Sequence, residues 1–232
     1  MWLLPIPDDA LLTPLLSLLD QPVDVRKVRY GERASAGIDR FGLQHEATEV
    51  LRQRRAGLID APVYLDLLAE AATRLQRAPG RRVQTLAEAS FETWIKYYQP
   101  DEQTPNAAVN YYVKGALVSL CLDLWLRRHA TVTLDDVMRG LWQRYGREDI
   151  GVPEGGLEAM AEALSGLDLK TPFDAWLRST AELPLAELLA EFGITASLRP
   201  SSGASDEGGR SEARSTPPVT LGLSLRAGET SI

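Results

Sequence analysis

Tyr111 and Tyr112 are followed by Val113, Lys114, Gly115 and Ala116, and this run is the local motif in the chain that points to chemistry. A phenol can donate a hydrogen bond to an oxygen on which negative charge is growing. The lysine could contact a substrate or a carboxylate. The plainer accounts are a helix tyrosine packed in the core with its hydroxyl satisfied by a neighbour, and a solvated helix lysine. Periodicity alone favours packing for Tyr112, which falls on an apolar stripe. Tyr111 is the competing assignment, one residue round the helix.

Other polar residues carry weaker signals. Asp101 and Glu102 precede the motif in a polar loop and could line a substrate cleft, although a solvated loop is the plainer account. Asp135 and Asp136 read as first-turn helix acids. Trp94, Trp125, Trp142 and Trp176 read as core or groove wall rather than ligand platforms. Cys121, the one cysteine, falls on an apolar helix face and reads as a buried, inert thiol. It cannot form an intramolecular disulfide or a cysteine cluster for zinc. There are two histidines, His45 and His129, which limits any imidazole-based metal site.

The elements that must position these residues follow from periodicity. From Asn106 to Arg128, residues Val109, Tyr112, Val113, Ala116, Leu117, Leu120, Cys121, Leu124 and Trp125 recur at helical spacing. Arg127, Arg128 and His129 close this helix at its negative end. It is the longest and most apolar helix in the sequence, so the others are expected to pack around it. Asp60 is the expected N-cap of a helix with Pro62 in its first turn and Pro79-Gly80 as its stop. Thr85 and Glu88 have capping-box spacing and open a helix through Phe91, Trp94 and Ile95 to about Tyr98. Thr133 caps a helix that ends at Gly146. Three shorter helices are expected over 157–164, 173–177 and 185–192.

The chain ends differ. Residues 1–50 form a poorly defined segment with a possible short helix from Asp8 or Asp9. Residues 194–198 alternate like a strand. Residues 200–218, rich in Ser, Gly and Pro, read as a flexible linker. Residues 219–232 read as a single strand, which cannot stand alone. The fold class is therefore mainly α: a helical bundle-like domain over 51–199, then a linker and one strand.

A net charge of −7 and a pI near 5.0 argue against a general nucleic-acid binder, which would present a basic face. The apolar N-terminus lacks a basic leader and is broken by Pro5, Pro7, Asp8, Asp9 and Pro14, so it is not read as a signal peptide. No run approaches the ~20 apolar residues that span a bilayer. A cytoplasmic location, with no membrane partner, is the default expectation.

Residues from about Arg54 to Arg199 resemble the C-terminal, helical part of the catalytic domain of the glycyl aminopeptidase family of zinc metallopeptidases. The stretches that carry the resemblance are RAGLI (55–59), PGRRVQTLAEASFETWIKYY (79–98), PDEQTPNAAVNYYVKGALVSLCLDLWLRR (100–128) and LDDVMRGLWQRYG (134–146). Tyr112-Val113-Lys114-Gly115-Ala116 also resembles the Tyr-Glu-Lys-Gly-Ala helix start of the wider aminopeptidase N group. The resemblance implies that Tyr112 is the catalytic residue of this half, donating to the carbonyl oxygen as water attacks a peptide bond. It also implies a peptide substrate and a zinc ion in intact relatives. The strand at 219–232 resembles the beginning of the family's PDZ domain, which makes it the first strand of a truncated PDZ-like domain.

The departures are as informative. The family's His-Glu-x-x-His places two imidazoles one turn apart with the Glu beside the metal-bound water, and this sequence contains no such run. Phe41-Gly42-Leu43 lies about where the third ligand's Glu-Gly-Phe segment belongs, without the Glu. His45-Glu46-Ala47-Thr48-Glu49 places Glu49 where the second His belongs, and reads as an ordinary charged helix turn. The expectation is a peptidase fragment with no cofactor of its own, inactive alone. The alternative is a non-catalytic helical module that binds a peptide or protein. An unfinished cleft would leave an apolar face exposed and favour self-association. The purified chain is predicted to retain far less than one zinc per molecule after dialysis, as measured by elemental analysis. One tightly held zinc, lost on His45→Ala or Glu46→Ala, would overturn this.

Overall fold

The computed structural model describes Trp2–Leu3 and residues 58–201 and 206–209. The expected short helix near Asp8 and the strand in 219–232 lie outside the described residues. The described fold is mainly helical, as the sequence predicts: α1 (Ala61–Arg77), α2 (Leu86–Phe91), α3 (Thr104–Ala107), α4 (Tyr111–His129), α5 (Leu134–Leu141), α6 (Gly156–Ser165), α7 (Lys170–Leu177) and α8 (Leu185–Ala190). The alternation expected over 194–198 is realised at β2 (Ser197–Leu198), which pairs antiparallel with β1 (Trp2–Leu3); Trp2 faces Leu198 in register and Leu3 faces Ser197.

Helix starts follow the side chains that cap them. Asp60 accepts from the backbone N–H of Val63 at 2.9 Å and starts α1. Thr85 and Glu88 form a reciprocal capping box at α2, and Thr133 and Asp136 form another at α5. Each box satisfies donors that the first turn would otherwise leave unpaired. Asp135 and Asp136 are thus the first-turn acids that the sequence predicts.

The helix expected to run from the Thr85 capping box to about Tyr98 ends as α2 at Phe91 and opens into a π-helical stretch over Thr93–Tyr97. The Thr93 hydroxyl lies within hydrogen-bond distance of the carbonyls of Ala89 and Ser90, at 2.9 and 2.8 Å, and shares its one hydrogen with them, a side-chain back-bond that competes with the regular ladder. Trp94, expected in the core or a groove wall, is 79% exposed, with Phe91 and Ile95 also exposed beside it.

α4 starts at Tyr111 rather than Asn106. Ala108 has an extended backbone, and the side chain of Asn110 caps the helix by accepting from the N–H groups of Tyr112 and Val113. The break is held from below. Gly80 sits against the backbone of Ala108 so closely that an added Cβ would lie 2.0 Å from its carbonyl oxygen. α4 packs against α1, α2, α5 and α8. Its buried residues run right round it and include Val113, Ala116, Val118, Cys121, Leu122, Leu124 and Leu126. The predicted one-sided stripe is therefore incomplete: Leu120 and Trp125 on that stripe are only half-buried. At its C-terminal end Asp123 joins Arg127 at 2.8 Å and also accepts from the N–H of Leu134 at 2.8 Å, which ties α4 to the start of α5.

Part of the stretch expected to be a flexible linker is anchored. Arg199 pairs with Asp206 through two hydrogen bonds of 2.8 and 3.1 Å, and Arg77 donates to the Asp206 carbonyl. Gly208, with φ of +109°, lies against Thr73 of α1, where an added Cβ would meet the threonine hydroxyl at 2.4 Å. No helix among the described residues is long and apolar enough to cross a membrane. Leu124→Ala should cost ~2–5 kcal/mol in denaturant melts, the range for emptying a core leucine site. Leu120→Ala should cost distinctly less. Equal costs would show that α4 is not buried on the side that Leu124 faces.

Candidate functional site

The N-terminal turn of α4 separates the two tyrosines that the sequence left in competition. Tyr111 is buried, with 4% of its surface exposed, and Tyr112 is half-buried. Their rings lie 4.1 Å apart at 33°. Tyr112 is thus the phenol nearer solvent and Tyr111 the one in the core. Asn110 fixes both by capping the turn on which they stand.

A third phenol, Tyr98, joins them from the end of the π-helical stretch. Tyr111 is held protonated, its pKa driven well above the ordinary phenol range. Burial is the main cause, followed by hydrogen bonds to the side chains of Tyr112 and Tyr98. Tyr98 in turn lies 5.1 Å from the ring of Trp94. An aromatic cluster therefore runs from the exposed Trp94 and Tyr98 through the buried Tyr111 to the half-buried Tyr112. Sequence reasoning placed Tyr98 at the end of a helix and gave it no role. The signal available was its position directly before the loop that leads into the tyrosine pair.

The loop between them is rigid at both ends. Asp101 accepts from the N–H and hydroxyl of Thr104 at 2.8 and 2.9 Å, and these bonds hold its carboxyl below the usual range. That is a turn cap on an exposed loop, as the solvated-loop reading expects. Gln84 accepts from the N–H of Val109 at 3.0 Å and donates to Glu92 at 3.2 Å, and Glu92 pairs with Lys96 at 2.6 Å. This network joins the turn before α4 to the helix that carries Trp94 and Tyr98.

Lys114 departs from the solvated lysine that the sequence suggests. It is 2% exposed. Its Nζ donates to the Ser179 carbonyl at 3.4 Å, in the connection between α7 and α8. Burial lowers its pKa, and the opposing attraction of Glu182 and Glu88 does not offset this. Glu182 itself pairs with Arg81 at 3.2 Å. Cys121 is the buried thiol expected, its pKa raised by burial to about 12.

A zinc site does not fit the residues around Tyr112. His129 stands at the opposite end of α4, about 25 Å away at 1.5 Å per residue, and its ring lies 4.5 Å from that of Trp125. His45 lies outside the described residues. Among the described residues no three His, Cys, Asp or Glu side chains are grouped to hold a metal ion.

Residues 47–118 match the model of the M61 glycyl aminopeptidase family. The crystal structure of an aminopeptidase N family protein from Idiomarina loihiensis superposes with a TM-score of 0.68 at 28% identity, covering 92% of this chain. The chain spans 38% of the length of that protein. None of the curated proteins matches the chain. The resemblance read from the sequence is therefore supported by both family and structure, and the chain is similar to part of an aminopeptidase.

Lys114 gives the site a measurable pH signature. Its pKa in the folded state is lower than the ~10.4 of a free lysine, so the buried charge opposes folding below the folded value. That penalty fades as pH rises through the folded value toward the unfolded one. Lys114→Met should stabilise the fold at neutral pH by roughly 1 kcal/mol. Its advantage over the parent should shrink in melts at progressively more alkaline pH. A constant difference across that range would show that the ammonium is not desolvated.

Proposed function

We propose that this chain supplies the helical, Tyr112-bearing wall of an aminopeptidase-type site, and that the metal-binding residues of that site lie outside these 232 residues. The observation that carries the reading is the separation of the tyrosine pair. The residue that matches the aminopeptidase motif, Tyr112, is the one nearer solvent, while Tyr111 is in the core. A phenol at that position can donate to a peptide carbonyl oxygen as charge develops there, an interaction that strengthens toward the transition state. The chain contributes position and a hydrogen-bond donor. The sequence has no His-Glu-x-x-His run and no group of His, Cys, Asp or Glu among the described residues could hold a metal ion, so the reading expects no hydrolysis by the chain alone. Peptides with a free N-terminus are the proposed substrates of the complete site.

A second reading has its own observation. Phe91, Trp94 and Ile95 are exposed next to Tyr98, and apolar surface of this kind marks contact sites. A non-catalytic peptide- or protein-binding module would use the same face without chemistry at Tyr112.

The test joins this chain to the N-terminal, zinc-binding part of a glycyl aminopeptidase and assays release of N-terminal residues from short peptides. The joined enzyme should be active. Tyr112→Phe, which removes only the hydroxyl, should lower kcat by roughly 10²–10³ with little change in KM. The parent chain without that part should show no turnover above buffer. Activity of Tyr112→Phe within a few-fold of the joined parent would make Tyr112 a packing residue and favour the second reading.

A further inference from the structure

We propose that Lys114 and Arg81 are positioning residues for Tyr112: together they clamp the connection between α7 and α8, and that clamp braces the turn on which Tyr112 stands. Three contacts carry it. Lys114, in the first turn of α4 and two residues after Tyr112, is buried, and its Nζ donates to the Ser179 carbonyl at 3.4 Å. Arg81, from the short 3-10 turn Pro79–Arg82, donates through Nε to Glu182 in the same connection at 3.2 Å, and its side chain is 10% exposed. The turn that carries Arg81 also reaches the residues before α4. Gly80 lies against the backbone of Ala108, where an added Cβ would fall 2.0 Å from the carbonyl oxygen.

These contacts close a circuit. It runs from Lys114 to Ser179, along the chain to Glu182, across to Arg81, back one residue to Gly80 and onto Ala108, just before the Asn110 cap. A turn held at a single point can pivot about it. This turn is held both before its cap and after Tyr112. The connection is itself stiff where Lys114 grips it. The Ser179 hydroxyl donates to the Ala175 carbonyl at 2.6 Å and accepts from the Ala181 N–H at 3.1 Å. These bonds fix the backbone whose carbonyl the ammonium meets.

The residue type argues for more than packing. Val113, Ala116 and Leu117 around Lys114 on α4 are apolar and buried, and a buried ammonium among them opposes folding. A methionine of similar length would fill the space without that penalty. It could not hold the connection. The bond to Ser179 is at the long end of the hydrogen-bond range, and Glu182 and Glu88 add attraction to the ammonium. The brace stands on this geometry; its use in catalysis rests on the function proposed above.

The test reads Tyr112 in the full chain. 3-Fluorotyrosine placed at position 112 reports the surroundings of that ring by its fluorine resonance. Glu182→Ala removes the partner of Arg81 and leaves Lys114 in place, and the resonance should shift or broaden. Glu182→Gln keeps an acceptor oxygen for Arg81 without the charge, and should keep the parent resonance. Lys114→Met should shift the resonance while its melting midpoint stays at or above that of the parent. Arg128→Gln, which removes the partner of Glu191 at the far end of α4, should leave the resonance in place. An unchanged resonance in Glu182→Ala or in Lys114→Met overturns the brace. An equal change in Glu182→Ala and Glu182→Gln also overturns it, since the field of the carboxylate and not its grip would then be at work. If Lys114→Met does not fold, the two Glu182 variants decide alone. In the joined enzyme described above, Lys114→Met should lower kcat by roughly 10–100-fold, the scale of a small misplacement, with KM unchanged. Full kcat in Lys114→Met beside a large loss in Tyr112→Phe overturns the positioning role. Full kcat in both variants, with the resonance moved, leaves the brace standing and removes the catalytic reading.

Discussion

The burial of α4 on nearly every side is the constraint on which the rest depends. A helix with polar residues on one face can sit at a surface and needs one neighbour. α4 has no such face along most of its length, so it needs cover from α1, α2, α5 and α8 at once. The short helices and their caps are the means of bringing that cover round. Asp123 shows how the cover is held in register: one carboxylate binds Arg127 within α4 and the first amide of α5.

This constraint also explains what the sequence made legible. Helix starts are local events, and a side chain three residues from an orphan amide is enough to set one. Asp60, Thr85 and Thr133 could be assigned for that reason, and each is an N-cap in the structure. Burial along α4 is not local. Helical period ranks residues by face, and a helix covered all round has no free face to rank. Leu120 was placed in the core and is half-buried; Lys114 was placed in solvent and is buried. The π-helical stretch was equally out of reach, because Thr93 is compatible with either ladder, and only the backbone bond from the Tyr98 N–H to the Thr93 carbonyl shows which is used.

The candidate site was legible in part. The motif picked out Tyr112 and left Tyr111 in competition with it. Helical spacing placed Tyr112 on the apolar stripe and so favoured it for packing, whereas the structure buries Tyr111 and leaves Tyr112 half-buried. α2 packs against α4, and in the structure Tyr111 is turned into the core while Tyr112 is left nearer solvent. Tyr98 had no signal of its own, because its place in the cluster depends on where the loop through Asp101 returns the chain.

The first turn of α4 also decides which groups can act there. A helix N-terminus offers amide hydrogens and a positive dipole end, and many sites use those amides directly to stabilise an oxyanion. Here Asn110 takes up the amides of Tyr112 and Val113 with its side chain, and the amide of Lys114 with its carbonyl. These three backbone donors are committed within the turn, which favours a side chain for directional donation at this point. Lys114 is directed toward Ser179 and away from solvent. Tyr111 is enclosed by its two phenol neighbours. Of the polar side chains on this turn, Tyr112 is the one with both exposure and a hydroxyl, which is why the chemistry proposed for this chain converges on it.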